Sequence, residues 1–392
     1  MVAQPISTIG VAMDLLIRDI YGADRGFNVA ADILTRTADG YPLIDIYREY
    51  IDALTEWNRQ RNVFAALFTS ATTDSFFQLP KEPGKGEDFE PSSEFGVPKS
   101  QRRGIDYFRM GLPLEWKDLS TRYTQSFLRD ASREQVDLQF QSVLDADNRM
   151  VFRLTMQALT NRTPLGSRDV NENGVEIFDL WDGSTGEVPP SFGGKTFSSG
   201  HSHYLVSGAA TLDSGDVEAL ITTIQEHGFG LRNSGERLIV LVHPDQSDAI
   251  ATWRRGVENA NGAVAKYDFI PAQGAPAYLT DETIVGDRPP ATYNSLAIEG
   301  SYGDAWIVKD YQVPTGYVIA VSTAGSGSVR NPLAVREHVS AEWRGLRLIT
   351  VENHPLRNAY FQRGMGVGVR ERSAAAVMQI KASGSYVNPT WP

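Results

Sequence analysis

The feature that most constrains this chain is the stretch from Ser132 to Asn161, which reads as one unbroken helix. Val136, Phe140, Val143, Leu144, Met150, Val151, Leu154 and Ala158 recur at spacings of three and four and form a single apolar stripe. Ser132 with Gln135 fits a capping box at its start, and Thr163-Pro164 with Gly166 ends it. About 30 residues at ~1.5 Å each make a rod of ~45 Å, which is long for a globular domain. A helix bundle would house such a rod, but few comparable helices follow. Asp145 and Asp147 fall among positions that read as solvent-facing.

Around this rod the chain changes character several times. The first ~40 residues mix short apolar stretches with glycine and read as an arm. Pro42 then opens a helix whose face carries Leu43, Ile46, Tyr47, Tyr50, Ile51, Leu54 and Trp57. Gln78 to Gly104 holds Pro80, Pro83, Pro91 and Pro98 among several glycines, and apolar runs flank it at 63–68 and 107–114. Its front half carries the acidic Glu82, Glu87, Asp88 and Glu90, and its back half carries the basic Lys99, Arg102 and Arg103. Such a segment has no means of building its own core. It is either a solvated loop or a long hairpin whose tip a neighbouring subunit orders.

Val170 to Ser199 is again loop-like, and a compact α/β region follows. Ser214 caps a helix carrying Val217, Leu220, Ile221 and Ile224, stopped by Gly228. The apolar run Arg237 to Val242 reads as a buried strand. Pro244 opens another helix, and strands are expected over 295–308 and 317–321. The tail is β-rich, with strands at 346–351, 366–370 and 374–380. The aromatic ending Tyr386 to Pro392 is expected to pack on the body of the protein.

The chain's composition excludes several classes of function. There is no cysteine among 392 residues, so disulfides, thiolate catalysis and zinc–cysteine sites are ruled out. No run of ~18 apolar residues exists to span a membrane, and the first residues lack the pattern of a secretory signal. A net charge of -11, with only Gln101-Arg102-Arg103 and Trp253-Arg254-Arg255 as short basic groups, is a poor basis for gripping nucleic acid. Gly325 to Ser328 lacks the strand-to-helix setting of a nucleophile turn, and Gly364 to Gly368 precedes a strand rather than opening a helix. His201-Ser202-His203 is the sharpest metal-like feature, with His243 or Asp213 as conceivable further ligands. No third ligand stands at a recognisable spacing, so the pair reads as satisfying loop backbone groups or a subunit contact. No metal, cofactor or catalytic residue is assigned.

The order of these parts resembles the major capsid proteins of tailed bacteriophages of the Hong Kong 97 type, especially those of phages infecting actinobacteria. Three stretches carry the likeness: 200–210 (Gly200-His201-Ser202-His203-Tyr204 onward), 313–317 with 332–338, and above all 366–386. The resemblance implies an α+β fold with an N-terminal arm at 1–62 and an extended loop hairpin at 63–116. It implies a peripheral domain at 117–204 with a spine helix at 132–161, an axial domain at 205–332, and a return to the peripheral domain at 333–392. It further implies self-assembly into the pentamers and hexamers of an icosahedral shell that encloses double-stranded DNA without sequence-specific binding, put together in the host bacterial cytoplasm. A separate scaffolding protein, a portal protein and decoration proteins are the implied partners. On this reading Lys81, Lys85, Glu87, Asp88, Lys99, Arg102 and Arg103 are inter-subunit contacts. Some members cross-link a loop lysine to a neighbour's asparagine. Here Lys81, Lys85 or Lys99 with Asn353 or Asn358, and Glu352 as base, have no spacing that supports it. An encapsulin-like compartment shares the implied fold, and a metal-dependent hydrolase using His201 and His203 is the alternative from another class.

Overall fold

A computed structural model describes residues 35–59, 62–80, 91–92, 94–97, 107–164, 166–274, 288–353 and 356–391. The spine helix runs over Arg133–Thr160, 28 residues, with Ser132 as its N-cap and Asn161 as its C-cap. The Ser132 backbone N–H donates to Gln135 Oε1 at 3.0 Å, the capping-box contact read from the sequence. A second cap comes from far away: Asp39 accepts the Arg133 backbone N–H at 3.1 Å. The expected stripe is buried at Val136, Phe140, Val143 and Leu144 in one core and at Val151 in a second, against which Met150, Leu154 and Ala158 are partly buried.

The helix Leu43–Arg59 lies against the first half of the spine. The Tyr50 ring stacks on Phe140 at 4.0 Å, and its hydroxyl donates to Asp137 at 2.6 Å. Leu43, Ile46, Tyr47 and Leu54 are buried as expected, but Ile51 is 53% exposed. It shares with Ile44, one heptad earlier, the face that turns away from the spine.

A larger correction concerns Asp147, which is buried rather than solvent-facing. It accepts the Trp57 indole N–H at 2.9 Å and pairs with Arg363, so one carboxylate joins the first helix, the spine and a C-terminal strand. Buried carboxylates persist where partners replace the lost water. Neither partner is near in the sequence, which is why the position read as exposed. Asp145 is exposed, as expected.

Two sheets meet this frame. In the five-stranded sheet, Leu356–Val369 pairs antiparallel along one edge with Leu346–Asn353 and then with Leu333–Glu337; Glu115–Thr124 takes its other edge. Thr69–Thr72 adds in parallel beside Leu333–Glu337. The glycines of this strand have a packing role. A Cβ on Gly366 would sit 2.0 Å from the Pro113 carbonyl oxygen, so only glycine lets that segment cross here.

The seven-stranded sheet has the order Tyr204–Val206, Ala375–Gln379, Tyr317–Thr323, Arg237–Val242, Ala305–Lys309, Gly300–Tyr302 and Phe269–Pro271. Arg237–Val242, the continuous apolar run, lies at its centre. Leu238 to Val242 are almost wholly buried, each stabilising the fold by roughly 1.5–3 kcal/mol. Helices Ser214–Gln225 and Pro244–Ala251 cover this sheet's second core. The N-cap of the first is Asp213, not Ser214 as expected; its carboxylate accepts the Asp216 N–H at 3.1 Å. Residues 170–199 form only isolated bridges, and the tail packs as expected. Tyr386 and Trp391 are buried against the end of the spine, donating to the Thr160 carbonyl at 2.7 Å and its hydroxyl at 2.9 Å.

Removing the Asp147 carboxylate leaves Arg363 and the Trp57 N–H without their acceptor. Asp147→Ala is expected to destabilise the unassembled chain by ~3–5 kcal/mol, with a smaller loss for Asp147→Asn. Guanidinium unfolding followed by circular dichroism checks this, and a loss under ~1 kcal/mol would show that the buried pair is not a joint.

Candidate assembly surface and histidine cluster

The polar segment between the apolar runs springs from a fixed base. Phe76–Pro80 pairs antiparallel with Tyr107–Gly111, ending at the pair Pro80 with Tyr107. The foot of this hairpin is bonded to the body. The Gly111 N–H donates to the Glu176 carbonyl at 2.7 Å, the Leu112 N–H to that of Ser75 at 2.9 Å, and Asn171 Nδ2 to Ser75 at 2.6 Å. Arg336 reaches the Leu112 carbonyl at 2.9 Å and pairs with Glu172 beside it. A loop rooted this firmly has a defined direction of exit.

The charged positions singled out in the loop, Lys81, Lys85, Glu87, Asp88, Lys99, Arg102 and Arg103, lie outside the described residues. So do the lysines of any cross-link. Asn353 and Asn358 sit on the paired strands Leu346–Asn353 and Leu356–Val369. Of the loop itself, Phe95 and Val97 are described, and they are 94% and 93% exposed. Both apolar side chains are exposed, without cover among the described residues.

The histidines form the second site. His201 and His203 come together as expected, but their companion is His227; neither His243 nor Asp213 joins them. His243 caps the helix Pro244–Ala251 and Asp213 caps Ser214–Gln225, so both are spent on backbone donors. His227 stands in the turn after Ser214–Gln225, one residue before Gly228, whose φ of +82° ends the helix as the sequence predicts. Nothing in the sequence marks His227, because it nears the pair only when that turn folds under the strand Tyr204–Val206.

The backbone of His203 is held on both sides: its N–H donates to the Trp181 carbonyl at 2.7 Å, and its carbonyl accepts from the Val377 N–H at 2.8 Å. Its Nδ1 lies 2.6 Å from the Ala375 carbonyl, a contact that requires Nδ1 to carry the hydrogen. His227 stacks on the Phe197 ring at 3.9 Å. Burial pushes all three imidazoles down. His203, enclosed completely and facing His227, lies well below the usual histidine range; His227, buried and beside His201, falls to about 3; His201 is lowered mainly by its burial. The cluster is therefore a set of neutral imidazoles at physiological pH.

No family model matches the sequence, and no curated protein matches it either. Among solved structures, a protein of Mycobacterium phage Patience is 33% identical, over 94% of this chain and 97% of that one, with a TM-score of 0.69. The chain belongs to the major capsid proteins of tailed phages. It has their Hong Kong 97-type α+β fold and is a structural protein of the virion capsid that associates with its own copies. Weaker likenesses are to the capsid of the native GTA particle (12% identical, 82% of this chain and 91% of that one, TM-score 0.47) and to the SrpI encapsulin of Synechococcus elongatus (10%, 100% of each, 0.42).

Changing Phe95 and Val97 together to Ser is expected to leave the unassembled chain's stability within about 0.5 kcal/mol, because both side chains are exposed. Assembly should weaken markedly. Thermal melts of the free chain and sucrose-gradient sedimentation of particles measure the two effects separately.

Proposed function

We propose that this capsid protein forms pentamers and hexamers that close into an icosahedral shell around double-stranded phage DNA, and that it catalyses no reaction. The likeness across almost the entire length of the phage Patience protein carries this reading. On it, residues 1–62 are the arm, 63–116 the extended loop, 117–204 and 333–392 the peripheral domain around the spine, and 205–332 the axial domain. Shells form in the host cytoplasm with a separate scaffolding protein, a portal protein and decoration proteins as partners. The net charge of -11 suits a wall that contains DNA without gripping it.

The loop charges fit contact between subunits. An acidic cluster at Glu87 and Asp88 meets a neighbour's Lys99, Arg102 and Arg103, with Lys81 and Lys85 as further contacts, each exposed pair adding only ~0.2–1 kcal/mol. Repetition over a closed shell makes such small increments count. Contacts of this kind also tolerate the differing curvature of pentamers and hexamers.

Expressed with its scaffolding partner, the protein is expected to give closed particles by light scattering and negative-stain microscopy. Monomers or dimers alone, with and without that partner, would overturn the proposal. Shortening residues 78–104 to a tight turn is expected to leave the circular dichroism of the chain unchanged and abolish stable particles. Reversing the charges of Lys99, Arg102 and Arg103 should make assembly more sensitive to salt. Normal particles from the shortened chain would show that the loop is surface only.

A further inference from the structure

We propose that His201, His203 and His227 bind a divalent transition-metal ion of the zinc class, which clamps the loop before the edge strand Tyr204–Val206 to the turn after helix Ser214–Gln225. The inference does not depend on the shell reading, since it concerns the free chain.

Geometry is the first argument. The three ring centroids stand 5.1, 5.0 and 4.9 Å apart, an almost equilateral triangle. His227 Nε2 lies 3.1 Å from His203 Nε2 and 2.9 Å from His201 Nε2, and one ring nitrogen from each residue lies within 4.8 Å of the others. Imidazole nitrogens around a tetrahedral zinc ion, at ~2.0–2.1 Å from the metal, stand about 3.3–3.4 Å apart. The two sides that meet at His227 are within a few tenths of an ångström of that spacing, and the third, between His201 and His203, is within 4.8 Å, so a tilt of the exposed His201 ring would close the set on one ion.

Counting protons gives the second argument. The bond from Nδ1 to the Ala375 carbonyl places the His203 hydrogen on Nδ1, so His203 Nε2 presents a bare lone pair to the cluster. A backbone carbonyl that fixes the tautomer of a histidine in this way is a common outer partner of metal-binding imidazoles. His227 Nε2 faces two nitrogens at hydrogen-bond distance but can carry one hydrogen. If that hydrogen points at His203, a hydrogen on His201 Nε2 would point at an N–H. If His227 Nε2 is bare, its contact with His203 sets two lone pairs against each other. No assignment gives each short contact a hydrogen of its own, whereas one cation satisfies three lone pairs at once. His227 Nδ1 is buried with no hydrogen-bond partner among the described residues, so no bond there fixes its tautomer.

Surroundings complete the case. His203 is fully buried and His227 nearly so, while His201 is only half-buried and opens the cluster to solvent. His201 is therefore the side from which an ion and a fourth, water ligand would reach the cluster. The nearby Lys195 is paired with Glu226 at 2.8 Å, so its charge is offset. His201 and His203 come from the loop that leads into Tyr204–Val206 and His227 from the turn after Ser214–Gln225, while Ala375 belongs to the adjacent C-terminal strand. A metal here ties two segments remote in sequence together where the cluster alone supplies two short contacts.

The test uses the full chain without a histidine tag, stripped with chelator and titrated with Co2+ and then Zn2+. About one Co2+ per chain is expected, with the visible absorption of four-coordinate cobalt, displaced by Zn2+. Zn2+ should also raise the melting temperature. His201→Ala, at the exposed corner, should bind at least about tenfold more weakly with unchanged circular dichroism. His227→Gln should lose the cobalt spectrum, and if it fails to fold, His201→Ala still decides. A parent chain that stays colourless and gains no stability from Zn2+ overturns the proposal, as does a His201→Ala chain that binds as tightly as the parent.

Discussion

One stretch of chain, residues 356–379, serves two sheets at once, and the rest of the protein is arranged around it. Leu356–Val369 is paired along both edges within the five-stranded sheet, and only five residues later Ala375–Gln379 lies inside the seven-stranded sheet. The turn between them is fixed by Arg372, whose guanidinium lies 3.9 Å over the Trp181 ring and donates to the Asp179 carbonyl at 2.9 Å. Backbone groups buried in a sheet must keep their ladder partners. Neither sheet can therefore shift without disturbing the other.

The spine helix is the second member of that frame. It lies across Leu356–Val369, takes the buried Asp147–Arg363 pair in its middle, and at its end receives Tyr386 and Trp391 from the tail. A stiff body of this kind is what a shell subunit requires. Adaptability can then be left to appended segments, which bury surface against neighbours while bending to several curvatures. The paired strands Phe76–Pro80 and Tyr107–Gly111 have their foot bonded to that body, and Phe95 and Val97 between them are exposed.

How much of this is legible in the sequence depends on how local the causes are. The spine's limits follow from Ser132, Gln135 and the Thr163-Pro164 stop, and the buried strand Arg237–Val242 from an unbroken apolar run, because caps, breakers and periodicity act within a few residues. Gly228 likewise announces the helix end that it makes. What the sequence hides is long-range. Asp147 reads as exposed because Trp57 and Arg363 lie 90 and 216 residues away. His227 has no motif that links it to His201 and His203, and the close crossing of Pro113 over Gly366 is a property of the folded sheet alone. The family resemblance supplied the order of the parts, but not these joints.

The central claim is that this is a shell subunit whose loop is covered by a neighbouring copy. An electron-microscopy reconstruction of the assembled particle tests it most directly. The account predicts that Phe95 and Val97 are buried against an adjacent subunit, with the foot of the hairpin unchanged from the free chain. Particles in which residues 91–97 remain in solvent, or fold back on their own subunit, would contradict it.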